Sequence, residues 1–248
     1  MSNPVLEQLT ERRSVRAFTG EAVSESDLAE IIKATQQAPT SINGQQISLV
    51  VVRDKERIAR IAQLAGQPAI ATADTFVAFV VDFNRTAEAA KLVGTEQIVE
   101  RSAEGILVGA VDAGIALATF QAAAAALGYG TTPIGGIRRN PAEIIALLEL
   151  PPRTYPIIGS TLGVPDQERM TQVKPRVPVE SFAMPERYDA EKVAEGVAAY
   201  DEVLRSWWDA QGLTKMGGYA QETAGVYSRI YYPDVAKTLR AQGFEFTD

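Results

Sequence analysis

Neither cysteine nor histidine occurs anywhere in the 248 residues. Without thiols there is no disulfide, no cysteine nucleophile and no thiolate metal site. Without imidazole the usual general base and the commonest metal ligand are gone as well. A Ser-His-Asp or Cys-His hydrolase cannot be assembled from this chain, nor a histidine-liganded zinc centre, and no metal site is expected. Demanding chemistry would have to come from a bound cofactor or from carboxylates. Positive charge is also short: 24 Lys and Arg face 31 Asp and Glu, for a net charge of −7. That balance speaks against a nucleic-acid partner, which calls for a basic face. Residues 1–11 carry neither a basic n-region nor an apolar run, so no signal peptide and a cytoplasmic location are expected.

Against this acidic background the cations bunch. Arg12, Arg13 and Arg16 stand within five residues, with Ser14 between them. A helix is predicted over 3–12, with Asn3 as cap and Pro4 at its first position. If it frays near Arg13, Arg12 and Arg16 lie about one turn apart, a spacing that suits a phosphate and equally a solvated helix end. Lys174 and Arg176, held apart by Pro175, form a second cationic pair.

Between these clusters the pattern alternates. Ser24-Glu25-Ser26-Asp27 opens a helix predicted over 24–38. The polar loop Thr40-Ser41-Ile42-Asn43-Gly44-Gln45-Gln46 follows, an ordinary connection or a set of neutral donors suited to a polyol or phosphate. Strands are predicted at 47–53 and 75–83, as the heart of a sheet, and at 156–162; helices at 55–65, 141–148, 190–211 and 234–242. Gly135-Gly136 after Ile134 is either a plain turn or a place where backbone amides approach a flat ligand; the G-x-G-x-x-G spacing of a dinucleotide fold is missing. Residues 212–225 are glycine-rich and polar.

Residues 102–127 form a long, almost wholly apolar helix. Asp112 in its middle argues against a membrane span, since a mid-span Asp costs roughly 2.5–3.5 kcal/mol on insertion scales. Gly105, Gly109 and Gly114 admit another backbone at close range. Such a helix is expected to be enclosed on every side and to meet the same helix of a second copy. A change of character near residue 179 divides the chain into 1–179 and 180–248.

Taken together, R-R-S-V-R-A-F at 12–18, T-S-x-x-x-Q at 40–45, G-Q at 66–67, I-G-G-I-R-x-N at 134–140 and K-P-R-V-P at 174–178 resemble the nitroreductase family, in particular its branch of oxygen-insensitive NADPH nitroreductases and NADPH-dependent FMN reductases. The resemblance implies an α+β fold: a central mixed, mostly antiparallel sheet flanked by helices, dimerised through the long helix. It also implies FMN at the subunit interface and a ping-pong reaction, with hydride passing from NADPH, or NADH, through flavin N5 to a small-molecule acceptor such as a nitroaromatic, a quinone or a flavin.

By that resemblance Arg12, Arg13, Ser14, Lys174 and Arg176 would hold the FMN phosphate. Arg16 would face the pyrimidine edge and support its charge, and Gln67 would pair with the same ring. Ile134, Gly135 and Gly136 would offer backbone to the opposite edge. Thr40, Ser41, Asn43 and Gln45 would reach in from the second subunit, and residues 180–248 would add to the dimer and the nicotinamide site. No side-chain acid or base is required, which suits a chain without His or Cys. Two alternatives stand beside this: a dedicated flavin reductase supplying a monooxygenase, and a flavin-binding dimer without turnover. Position 12 is Arg where the branch commonly has His, and Pro133 stands where it commonly has an aromatic. For the NADPH 2′-phosphate only Lys215 is at hand. A bulky residue at Gly109 is expected to weaken dimer and flavin together.

Overall fold

The computed structural model describes residues 3–248. They form two compact units, one running through Thr171 and resuming at Tyr232–Asp248, the other Gln172–Tyr231.

The first unit is built on four strands, β1 (Ile47–Val52), β2 (Thr75–Asp82), β3 (Gly130–Ile134) and β4 (Thr154–Gly163), ordered β1-β2-β4-β3. Every pairing is antiparallel, with Leu49 opposite Phe79, Ala78 opposite Gly159 and Thr132 opposite Thr161. β2 is a β-branched and aromatic run buried along nearly its whole length, because helices cover both faces of the sheet. On one face α3 (Lys55–Ala65) and α6 (Pro141–Leu147) set Ile58, Ile61 and Ile144 against Phe76, Ala78 and Val80. On the other, α2 (Glu25–Gln36) and α5 (Ala103–Ala126) set Leu28, Ile31 and Ala116 against Val77 and Phe79. Phe120 meets Phe79 edge-on at 5.6 Å. The α+β sandwich is as expected, except that β1 lies at the sheet edge and β4 takes the place beside β2.

Caps fix where the helices begin. Ser24 Oγ accepts from the Asp27 N–H, Asp54 Oδ1 from the Arg57 N–H and Ser102 Oγ from the Gly105 N–H, each satisfying an amide that the first turn leaves open. Four elements escape prediction from the sequence: β3, α4 (Asn84–Leu92), α7 (Val179–Phe182) and α9 (Tyr219–Tyr227).

The N-terminal reading needs revision. α1 (Pro4–Thr10), capped by Asn3, stops before the arginines. Residues 12–18 run extended beside β3: the Val15 N–H donates to the Thr131 carbonyl at 2.9 Å, Thr132 Oγ1 donates to the Val15 carbonyl, and Phe18 bridges to Pro165. Arg12 and Arg16 are therefore not one helical turn apart. β3 is an edge strand whose backbone groups need partners, and pairing with it outweighs continuing a seven-residue helix. Gly130 permits the approach; a Cβ there would lie 2.7 Å from Val15 Cγ1.

Nor is α5 enclosed on every side within the chain. Gly105, Gly109, Asp112, Ala113, Ala116 and Phe120 are buried. Leu107 and Val111 are 58% and 59% exposed, and Gly114 and Ala118 are exposed on the same stripe. Gly109 belongs to the buried face: a Cβ there would stand 2.1 Å from Val81 Cγ2. A bulky residue at 109 would collide with its own sheet before it reached another copy. The glycine of the open face is Gly114, with no neighbour among the described residues within 4 Å of its would-be Cβ.

In the second unit α7 (Val179–Phe182) lies against α8 (Ala190–Ala210) through Ser181 and Gly196. α8 meets α9 through Tyr200 and Tyr219, 5.2 Å apart, and through Asp201, whose Oδ1 accepts from the Ala220 N–H at 2.7 Å. After this unit the chain returns to the sheet. α10 (Val235–Ala241) and Phe244 join Val81, Phe83 and Tyr155 in a third apolar cluster.

Candidate functional site

The residues singled out by sequence fall into separate groups. Arg16, Gln67 and Ile134 come together around a cleft of about 20 Å³, completed by Val15, Phe18, Ala69, Ile70, Thr132 and Thr161. Three elements bring them there. The extended 12–18 segment carries Arg16, the turn after α3 carries Gln67, and the end of β3 carries Ile134. Gly66 makes the turn possible, ending α3 in the left-handed region at φ 66°, where a glycine carries no steric penalty.

Gly136 packs beneath Gln67: a Cβ there would sit 2.9 Å from the Ala65 carbonyl oxygen and 3.0 Å from Gln67 Nε2. Gly135, by contrast, is open: among the described residues only Arg138 Nη2 comes within 4 Å of its would-be Cβ, at 3.4 Å. Arg138 itself donates to the Ile157 carbonyl and so is tied to the sheet. Pro133 is half-buried in β3, an edge strand, where a residue without an N–H is tolerated.

The donor set has a clear chemical character. Arg16 offers only donors, Gln67 both a donor and an acceptor, and the rest of the cleft is apolar or hydroxylic. That complements the alternating acceptors and donor of a pyrimidine-dione edge. Some 20 Å³ cannot swallow a tricyclic ring, so the cleft suits the edge of a planar ligand lying against the open side of Gly135. On these observations the residues fit FMN.

Arg12 and Arg13 line a larger cavity, about 350 Å³, with Gln8, Leu9, Gln121, Tyr129 and Thr131. Arg13 Nη1 donates to the Thr171 carbonyl at 3.2 Å. Ser14 is half-buried between the two arginine sites. Among the described residues no three acidic side chains gather to hold a metal ion.

The 40–46 loop gathers backbone strain within a few residues. Ile42, Asn43 and Gln45 have φ of 49°, 56° and 51°, each in the left-handed region that costs a non-glycine residue of order 1–3 kcal/mol. The loop is held from outside itself. The Ser41 N–H and Gln46 Nε2 both donate to the Asp112 carboxyl, at 3.2 and 2.5 Å. Arg85 Nη1 donates to the carbonyls of Gln45 and Ile47, and Nη2 to Ser48 Oγ. Thr40 Oγ1 closes it by accepting from the Gln45 N–H. Thr40 and Gln45 also line a cavity of about 540 Å³ beside β1. None of Asp112, Arg85 and Gln46 was singled out as a site residue by sequence. The available signal was the isolated Asp in an apolar helix.

The remaining predicted residues lie in the second unit. Lys174 Nζ sits 4.5 Å from the Trp208 ring centroid, a cation–π contact, and Tyr200 donates to the Pro175 carbonyl at 3.0 Å. Arg176 Nη1 donates to the carbonyls of Lys174 and Pro175. The segment is thus fixed by α8. Lys215 is exposed in the turn between α8 and α9.

The sequence matches the nitroreductase family over residues 9–164 and that family's C-terminal domain over 174–247. It is 42% identical to an FMN reductase [NAD(P)H] of Bacillus subtilis over 247 residues, 98% of each chain. The structure superposes on NfrA2 of B. megaterium with a TM-score of 0.95 at 38% identity, covering all of both chains. It superposes on the NADPH:FMN oxidoreductase of Vibrio harveyi complexed with NAD+ with a TM-score of 0.87 at 29% identity, over 98% of this chain and 99% of that one. Two family domains end to end, near-complete coverage and a shared fold place this chain in the nitroreductase family.

Proposed function

We propose that this oxidoreductase holds FMN and uses NADPH or NADH to reduce a small-molecule acceptor, a nitroaromatic, a quinone or a flavin. The observation that carries the reading is the convergence of Arg16, Gln67 and Ile134, distant in sequence, on one cleft beside an open glycine. FMN, when bound, supplies a ring that accepts a hydride from nicotinamide and hands electrons to the acceptor.

The chain's own groups bind and orient. Arg16 places a fixed positive charge at the ring edge, where it favours the anionic reduced form. Gln67, braced by Gly136, sets the angle of approach. Ile134 and the open Gly135 present backbone, and no side chain need move a proton for the hydride step. Arg12, Arg13 and Ser14 are assigned to the phosphate on charge chemistry, since a dianion needs several charge-assisted donors. Thr40, Ser41, Asn43 and Gln45 are assigned to the flavin of a second copy. The exposed stripe Leu107, Val111, Gly114 and Ala118 supports that copy, because an apolar helix face with small residues is stable in water only when covered. Use of reduced nicotinamide fits a cytoplasmic enzyme.

The test is direct. The purified protein should carry flavin, lose its oxidised absorbance on anaerobic NADPH and regain it when an acceptor is added. Flavin that stays oxidised overturns the enzyme reading. Arg16→Ala should lower the rate of reduction more than FMN occupancy. Arg12→Ala with Arg13→Ala should leave a folded chain largely without FMN.

The donor preference should be slight. Lys215 alone, exposed, gives a screened contact of about 1 kcal/mol or less, so kcat/KM should favour NADPH by roughly tenfold at most and less at high salt. The 42%-identical relative is named for both donors. A hundredfold preference that survives Lys215→Ala would place the 2′-phosphate elsewhere.

A further inference from the structure

We propose that Asp112 is a positioning residue for the flavin site. From the middle of α5 it fixes the 40–46 loop in its strained, binding shape, and Arg85 closes the loop's outer side. The inference rests on the flavin assignment of that loop and adds the group that makes the assignment possible.

A chain does not keep three non-glycine residues in the left-handed region unless something outside the loop requires it. Packing of the loop's own side chains does not supply this, since Ile42 is 96% exposed and Asn43 and Gln45 are exposed as well. What flanks the strained residues is a pair of fastenings to one carboxyl group. The Ser41 N–H lies on one side and Gln46 Nε2 on the other, and both donate to Asp112. Asp112 is 3% exposed and Gln46 4%, so the bond between them is shielded from water and the Ser41 bond is partly so.

The chemistry explains why an acid stands in an otherwise apolar helix. A carboxylate brings acceptors and no donor of its own, and the two groups facing it are both donors. Alanine would leave the buried Gln46 amide and the part-buried Ser41 N–H without this acceptor, and the loop would turn to water to satisfy them. The base of the clamp is rigid, because the buried face of α5 that flanks Asp112 is packed on the sheet. Arg85 adds the second side through the carbonyls of Gln45 and Ile47. Asp112 acts through the loop, so its effect should fall on how flavin is held.

The experiment compares wild type, Asp112→Ala, Asp112→Asn and Gln46→Leu as purified full-length protein. FMN affinity is read by quenching of flavin fluorescence, and loop order by the rate of protease cleavage within residues 40–46 without flavin. Asp112→Ala should raise the Kd for FMN by about tenfold or more, the size expected when a charged hydrogen-bond acceptor is lost. It should also speed cleavage within the loop while leaving far-UV circular dichroism unchanged.

Asp112→Asn should recover to within about threefold of wild type, its Oδ1 accepting from Ser41 and its amide donating to a turned Gln46. Gln46→Leu keeps Asp112 and cuts one fastening. It should move both readouts the same way as Asp112→Ala, and it serves if the alanine variant does not fold. The proposal is overturned if a folded Asp112→Ala or Gln46→Leu binds FMN and resists cleavage within twofold of wild type, or if Asp112→Asn rescues neither readout. If wild type takes up no FMN, the flavin reading fails first, and the cleavage contrast alone still decides whether Asp112 fastens the loop.

Discussion

Gly109 and Gly114 stand five positions apart on one helix and do opposite work. Gly109 is missing a side chain because Val81 of the central strand occupies the space; Gly114 is missing one where no neighbour among the described residues stands within 4 Å. In sequence the two are indistinguishable, each a small residue in a run of apolar ones. The difference shows that an almost wholly apolar helix can divide its faces between its own sheet and an open surface, with the buried Asp112 holding the 40–46 loop.

The largest effect that would break this contrast is Gly109→Leu. Its side chain has no room against β2, and overpacking of this kind costs at least about 1–3 kcal/mol even for one or two extra methylenes. A four-carbon side chain at this point should leave little folded protein, read as loss of the thermal transition.

Gly114→Leu should do the reverse to the isolated chain. On an open helix face, replacing glycine by leucine gains about 0.8 kcal/mol in helix propensity, so the folded chain should be as stable as wild type or more so. Association should weaken by roughly tenfold or more, since the new side chain would stand where a second backbone is to approach. Light scattering across a dilution series, with FMN titration beside it, checks both. Two variants with the same phenotype would show that the faces are not divided.

The smallest effect lies where the buried face ends. The Tyr129 hydroxyl, just past α5, donates to Asp27 at 2.6 Å and accepts from the Ser24 N–H, joining the end of this helix to the start of α2. The bonds from Tyr129 and Ser24 hold the Asp27 carboxyl below its usual range, and the same bond raises the Tyr129 hydroxyl. A carboxyl lowered in the folded state adds stability that is present above its unfolded value, near 3.9, and is lost as pH falls through the folded value. Tyr129→Phe should therefore lower Tm by no more than about 4 °C at neutral pH. The difference from wild type should shrink below about pH 4. A gap that stays constant from pH 7 to pH 3 would show that the ring, not the hydrogen bond, does the joining.

Much of the fold was legible because the signals were local. Ser24, Asp54 and Ser102 each sit before a helical pattern, and each accepts a first-turn amide in the structure. The β-branched run at 75–82 can bury both faces only as a central strand. β3 was not legible, since Gly-Thr-Thr-Pro-Ile has weak strand character and a proline; it is a strand because β4 offers it a partner. The arginine cluster was read in the wrong conformation. Pairing with Thr131 at the sheet edge draws residues 12–18 out straight, and nothing in residues 12–18 encodes Thr131.

The sequence by itself determined the reaction class it could support. With no His or Cys the chemistry had to come from a bound cofactor or from carboxylates, and five short motifs in order carried the resemblance to the nitroreductase family. It also determined where α2, α3 and α5 begin and that α5 would be almost wholly apolar. Only the tertiary structure decided which face of α5 meets the sheet, that residues 232–248 return to cover β2 and β4, and that Asp112 fastens a strained loop 66 to 71 residues away in the chain. The reason is physical. Capping and periodicity are paid out within one or two turns of chain, whereas a buried carboxyl is explained only by the donors that folding brings to it from elsewhere.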